Sequence, residues 1–206
     1  KHDSRIAEQI KSIVANPQNI NLYNDTSYRS DNIDILVVTN AALSPAFDDY
    51  LHFKETCGYS TAIITTEDIY ANYPGADSQE QIRNAIIDYY QEYDLQFVIL
   101  GGDSSPVDPE RNIVPHRGFY GDVANFEDFD IPADMYYSCL DGCWNDNNDE
   151  YWGEYYEGDF FQEISVGRIA GATISEISAH LHKLLLYQCA PVAADLEKCL
   201  LVGQQL

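Results

Sequence analysis

Ile33-Asp-Ile-Leu-Val-Val-Thr39 reads as one buried strand, apolar nearly throughout and rich in β-branched residues. Ser44-Pro45 follows as a helix start, with proline in the first turn where its missing N–H costs nothing. Phe47, Tyr50, Leu51 and Lys54 then recur at helical spacing, and Gly58 closes the segment. Residues 61–65, Thr-Ala-Ile-Ile-Thr, make a second strand. Ser78-x-x-Gln81 is a capping box, and behind it Ile82, Ala85, Ile86, Tyr89, Tyr90 and Tyr93 form an apolar stripe. Phe97-Val-Ile-Leu100 is the third strand. This β-α-β-α-β order with short connections predicts a parallel sheet with right-handed crossovers. Strands that are apolar on both sides predict helices on both faces. The expected class is α/β: a mostly parallel sheet between two helical layers.

The pattern extends in both directions. Downstream, Ile164-Ser-Val-Gly-Arg168 reads as another strand. A second capping box, Thr173-x-x-Glu176, opens a helix with Ile174, Ile177, Leu181, Leu184 and Leu185. Cys199-Leu-Leu-Val-Gly203 reads as a last core strand; with three residues after it, further chain is expected to follow. Upstream, Asp3 caps a helix bearing Ile6, Ile10, Ile13 and Val14, and residues 16–32 form a polar, irregular lead-in. Two regions are expected, 1–32 and 33–206. Residues 103–160 break the rhythm with acidic, aromatic and glycine/proline-rich sequence read as loop.

Charge narrows the function. The 206 residues carry 34 Asp and Glu against 11 Lys and Arg, a formal net charge of -23. Phosphate contacts need clustered cations, so nucleic acid is excluded as a partner, and anionic membrane surfaces are disfavoured. Basic substrates, metal ions or an extracellular setting suit such a chain. A hydrophobic fraction of 45% supplies a core and argues against broad disorder. No apolar run reaches the ~20 residues of a membrane span. Cys57, Cys139, Cys143, Cys189 and Cys199 form at most two internal pairs, and none stands in a Cys-x-x-Cys motif.

Ligands of such sheets sit beyond the carboxyl ends of the strands. Residues 39–44 contain no glycine, which removes the dinucleotide fingerprint and the P-loop. The third strand runs into Gly101-Gly102-Asp103-Ser104-Ser105. Asp103 is either a ligand or the acceptor of a loop turn. Neither serine has the Gly-x-Ser-x-Gly setting of a nucleophile.

The richest local chemistry lies between Asp141 and Glu154, where Asn145, Asn147 and Asp149 alternate and Glu154 follows. Alternating Asp and Asn oxygens suit a hard cation such as calcium, which takes six to eight oxygen ligands. The spacing departs from the EF-hand, lacking its glycine at position six and its glutamate at twelve. A solvated acidic turn held by Asx hydrogen bonds is the competing reading. The aromatics Trp144, Tyr151, Trp152, Tyr155 and Tyr156 argue that the loop is packed. A Cys–His nucleophilic pair needs a loop histidine, and His116 is the one near the strand ends. Its potential partners Cys139 and Cys143 sit among carboxylates, which disfavour a thiolate.

The ordered set of motifs resembles the amino-terminal part of gingipain-type cysteine peptidases. The matching pieces include Asp34-Ile-Leu-Val-Val-Thr-Asn40, Lys54-Glu-Thr-Cys-Gly58, Gln81-Ile-Arg83 and Phe97-Val-Ile-Leu-Gly-Gly-Asp103. Further along come Ile131-Pro-Ala-Asp134-Met-Tyr-Tyr137, Leu140-Asp-Gly142 and Val166-Gly-Arg168, so the likeness spans roughly residues 33–203. The resemblance implies a caspase-like three-layer fold in two subdomains, of which this chain is similar to the first. It implies that the catalytic His and Cys lie in a second subdomain downstream of Leu206, and no Gly-His-Gly occurs here. It implies a secreted, periplasmic or surface endopeptidase acting on peptides or proteins, with structural calcium. By the same likeness Asp159 is the candidate acidic residue for a basic substrate side chain. Glu163 and Asp134 become possible contributors to the calcium site. Arg168 is expected to form a structural salt bridge. The rival expectation is a calcium-dependent binding module on the same fold, without peptidase activity.

Overall fold

The computed structural model describes residues 32–123, 126–158, 160–193 and 198. The expected first helix, the strand at 199–203 and Asp159 lie outside the described residues. The chain divides into Lys1–Asn32 and Ile33–Leu206, and every element below belongs to the second unit.

β1 (Ile35–Thr39) is followed by a 3-10 turn (Ser44–Phe47) that runs into α1 (Asp48–Thr56). Gly58, at φ 98°, ends α1 as a Schellman motif: its own N–H reaches Glu55 O at 3.0 Å, and Tyr59 N–H reaches Lys54 O at 3.1 Å. β2 (Thr61–Thr65) passes directly into α2 (Thr66–Asn72), then α3 (Ser78–Tyr93) and β3 (Phe97–Gly101). β4 (Arg117–Val123) and β5 (Phe126–Ala133) form a separate antiparallel hairpin, with a bulge between Phe119 and Gly121. A 3-10 turn (Asp134–Tyr137), β6 (Ser165–Ile169) and α4 (Ile174–Cys189) complete the described order.

Among the described residues the main sheet has four strands in the order β2-β1-β3-β6, and all its pairs are parallel. Alternation along β1 separates two cores. Leu36 and Val38 face α2 and α3 through Ile69, Ile82, Ala85 and Ile86. Val37 faces the opposite layer, where Phe47, Tyr50, Leu51, Ile177 and Leu181 come from the first turn, α1 and α4. This is the caspase-like arrangement, with helices on both faces. Burying each of these large side chains contributes about 1.5–3 kcal/mol.

Three local readings change. The cap of α3 is Asp77, whose Oδ1 accepts the Glu80 N–H at 2.8 Å, while Glu80 reaches back to the Ala76 N–H at 2.6 Å. Two overlapping boxes compete there, and Asp77 already has the extended backbone of a cap. Gln81 instead donates to the Tyr73 carbonyl. α2 lies within residues that sequence periodicity leaves unassigned, and the β4–β5 hairpin lies within the presumed loop. The second box holds as expected, with Thr173 Oγ1 accepting from Glu176 N–H at 3.2 Å. No helix among the described residues is long and apolar enough to cross a membrane.

Candidate functional site

The carboxyl ends of β3 and β6 carry a dense polar cluster. Gly101 and Gly102 let the chain pass close to its neighbours: a Cβ on Gly101 would strike the Phe47 ring, and one on Gly102 would sit 2.6 Å from Ile113 Cβ. Asp103 then accepts from Ser104 N–H at 2.9 Å and from Arg111 Nε at 2.7 Å. Arg111 also faces Glu176 at 3.5 Å, joining the loop to the start of α4. Of the two readings of Asp103, the structure supports the loop acceptor.

His116 is buried beside it, 7% exposed. Ser104 Oγ is hydrogen-bonded to His116 Nδ1 and accepts the His116 backbone N–H at 2.9 Å. His116 Nε2 lies 3.1 Å from Asp130 Oδ1 on β5. Both ring nitrogens are therefore engaged, and neither is offered to a thiol. The Cys–His pairing with Cys139 or Cys143 is not formed. Sequence alone dismisses a Ser-His-Asp set, yet these three residues do assemble. They act here as a tether: the serine oxygen is held by the backbone of the very histidine it faces.

Arg117, the next residue, turns inward. Its two terminal nitrogens hold both oxygens of Asp77 at 2.7 and 2.8 Å, and its plane lies 3.8 Å from the Trp152 ring and 4.6 Å from that of Tyr136. Burial pushes the Asp77 carboxyl upward, but the Arg117 fork and the Glu80 and Gln79 amides outweigh it and hold it below its ordinary range. Arg168 is the structural ion pair expected of it. Nε and Nη2 meet Asp134 at 2.7 Å each, and Nη1 donates to the Gly102 and Val114 carbonyls at 2.9 and 2.6 Å. Asp134 is thus committed to Arg168, and Glu163 accepts from the Leu140 N–H.

The acidic loop is anchored at its start by Arg83, whose Nη2 donates to the Cys139 and Gly142 carbonyls at 2.7 Å each. Trp144, 1% exposed, stacks on Phe119 with ring centroids 4.7 Å apart. Asn145 is buried, and its Oδ1 accepts from Asp149 N–H at 3.1 Å. Asn147 Oδ1 accepts from the same N–H at 2.9 Å, and Asp149 Oδ1 accepts from Tyr151 N–H at 2.7 Å. The Asn147 amide nitrogen donates to Asp149 Oδ2 at 2.9 Å and Glu154 Oε2 at 3.2 Å. Asn147, Asp149 and Glu154 therefore converge, Asn145 joins through the backbone of Asp149, and Asp141 is exposed in the preceding turn.

The fit to a cation is incomplete. Among the described residues, no three His, Cys, Asp or Glu side chains gather closely enough to hold a metal. One feature points the other way, and sequence reasoning missed it. Glu157 accepts the Asn147 N–H through Oε1, while its buried Oε2 finds no donor. A buried carboxylate oxygen without a donor calls for a cation or a water. Its signal was the acidic position three residues beyond Glu154. Cys57, Cys143 and Cys189 are free thiols.

The parallel four-stranded sheet, its two helical layers and the loop-borne cluster at the strand ends define a caspase-like α/β domain. The chain belongs to peptidase family C25, the gingipain family, whose model matches residues 28–206. No curated protein matches it. Solved structures with a similar fold include one described as a protease, 21% identical, covering 81% of this chain and 30% of its own at TM-score 0.50. The complex of Porphyromonas gingivalis RgpB pro- and mature domains is 17% identical, covering 75% of this chain and 29% of its own at TM-score 0.50. Dimeric latent PorU from Porphyromonas gingivalis is 17% identical, covering 75% and 15% at TM-score 0.52. At these identities the likeness speaks for the fold. This chain spans less than a third of each of those chains.

Proposed function

We propose that this chain is the first, non-catalytic subdomain of a gingipain-type cysteine endopeptidase. The observation that carries the reading is the engagement of His116 by Ser104 and Asp130 in a domain of family C25. In this reading the nucleophile and its base come from a second subdomain of the same protein. The first subdomain then supplies a rigid wall. Asp159 is the proposed acceptor for a basic side chain of a peptide or protein substrate, through a charge-assisted hydrogen bond. A secreted, periplasmic or cell-surface setting suits an enzyme of this kind and charge. The test is to express the chain with and without the downstream region and assay arginine- and lysine-bearing peptide substrates. Activity is expected only with the second part present, and Asp159→Asn there should lower kcat/KM for basic substrates selectively. Activity in the 206 residues alone would falsify the proposal.

A calcium role for the acidic loop is a second proposal, favoured by the unpaired Glu157 Oε2 beside the Asn147, Asp149 and Glu154 group. Asn145 and Asp141 are its remaining proposed ligands. Bound calcium would cross-link the loop and neutralise its carboxylates. If the longer protein lacks a Cys–His pair altogether, this loop would instead serve the alternative function, a calcium-dependent binding module.

A further inference from the structure

The β4–β5 hairpin carries an aromatic cluster that the folded core does not use. Tyr120, Phe129 and Tyr151 meet in a triangle, with ring centroids 5.4, 5.0 and 5.5 Å apart. Phe129 is 53% exposed and Tyr151 37%. Phe126 and Ile131 of β5 are also exposed, but their pairing with Val123 and Phe119 sets them on the opposite face from Tyr120. A solvent-facing apolar patch of this kind marks an interaction surface. Carboxylates surround it. Glu127 accepts from the Tyr120 hydroxyl at 3.1 Å, Asp149 accepts the Tyr151 N–H, and Asp130, next to Phe129, meets His116.

No cation on the hairpin balances that charge. Arg117 is the only basic residue of the two strands, and its side chain is 6% exposed and turned onto Asp77. The two edges of the hairpin also differ. The edge of β4 is met by the loop, where Tyr120 N–H donates to Trp152 O at 2.8 Å. Among the described residues β5 pairs with β4 alone, and its residues from Phe126 to Pro132 are exposed. Acidic residues, Pro132 and the bulge blunt the β5 edge against a second copy of this chain, since like charges would face each other. The same charges admit a basic strand. The surface is held in place rather than loose, by His116 against Asp130 and by Phe119 stacked on Trp144.

We infer that the outer face of the β4–β5 hairpin, centred on Tyr120, Phe129 and Tyr151, docks an extended cationic segment of a protein partner. Arginine side chains would lie over the rings and pair with the rim carboxylates, a cation–π contact reinforced by charge. Occupancy of this surface needs no peptidase activity.

The test is calorimetric titration of the 206-residue chain with an acetylated octapeptide of alternating arginine and valine. The glutamate–valine octapeptide serves as control. The arginine peptide should bind, with affinity falling as salt rises, and the glutamate peptide should not. Phe129→Ala keeps every charge and removes one ring, and should weaken binding about tenfold. Tyr151→Ala should act similarly, while Tyr90→Ala on α3 should leave binding unchanged. Circular dichroism of each variant confirms that it is folded, and the exposure of Phe129 makes folding of that variant secure. Equal binding by Phe129→Ala and the parent would overturn the inference, because a polyanion attracts any cationic peptide. Absence of binding at millimolar arginine peptide would do the same. So would concentration-dependent dimerisation lost in Phe129→Ala, which would assign the face to a second copy.

Discussion

Arg168 and Asp134 meet fork to fork, Nε and Nη2 each 2.7 Å from a carboxylate oxygen, although 34 residues separate them in the chain. The third guanidinium nitrogen holds the Gly102 and Val114 carbonyls. One side chain thereby fixes β6, the entry to β3's loop and the turn after the hairpin. With its side chain 15% exposed, Arg168 is poorly placed to recover hydration once its partner is lost.

Asp134→Ala should therefore cost about 3 kcal/mol, since it strands a largely buried charge. The measurement is the urea midpoint at pH 7, with an unchanged slope. Arg168→Lys should not rescue the parent stability, because one ammonium cannot span a carboxylate and two carbonyls. A loss below about 0.5 kcal/mol in Asp134→Ala would show that the pair is not structural.

Asp77 gives a pH dependence of defined sign. Its carboxyl is held below its ordinary value of 3.8 in the folded protein. The stabilisation is then complete above that ordinary value and is lost as pH falls through the depressed one. Unfolding followed between pH 6 and pH 2 should show an acid-labile component that Asp77→Asn flattens. An unchanged acid limb in Asp77→Asn would contradict the role given to Arg117.

Two glycines on neighbouring strands should behave oppositely. Gly101→Ala would drive a methyl into the fully buried Phe47 ring and should cost about 1–3 kcal/mol by overpacking. A Cβ on Gly167 meets nothing. Gly167→Ala should be neutral or stabilising by about 0.5 kcal/mol, through reduced freedom of the unfolded chain. Thermal melts of the two variants side by side provide the comparison.

Calcium is expected to bind the metal-free chain in a calorimetric titration, and to perturb tryptophan fluorescence because Trp144 and Trp152 flank the loop. Asp149→Ala, Asp141→Ala and Glu157→Gln should each weaken it, by about tenfold for Asp149. Silence at millimolar calcium removes the proposal.

The parallel sheet was legible because its strands are buried on both faces, and a continuous apolar run such as residues 35–38 has few other interpretations. The hairpin was hidden for the converse reason. Every residue of β5 from Phe126 to Pro132 is exposed, so no apolar alternation marks it, and the bulge breaks what periodicity remains. α2 was hidden because Thr65 both ends β2 and caps the helix, leaving no loop to announce a boundary. Within the candidate site, Asn147 and Asp149 could be grouped from their spacing alone. The Ser104–His116–Asp130 tether could not, since its members are 12 and 14 residues apart and no local motif links them.

Arg83, Arg117 and Arg168 all direct their guanidinium groups into the fold, onto carbonyls, rings or single carboxylates. Inward placement of positive charge leaves an exterior dominated by one sign. Such a surface is expected to attract cationic polypeptides at long range. Its encounters with them should speed up in dilute buffer and slow in brine, well before any pocket makes contact.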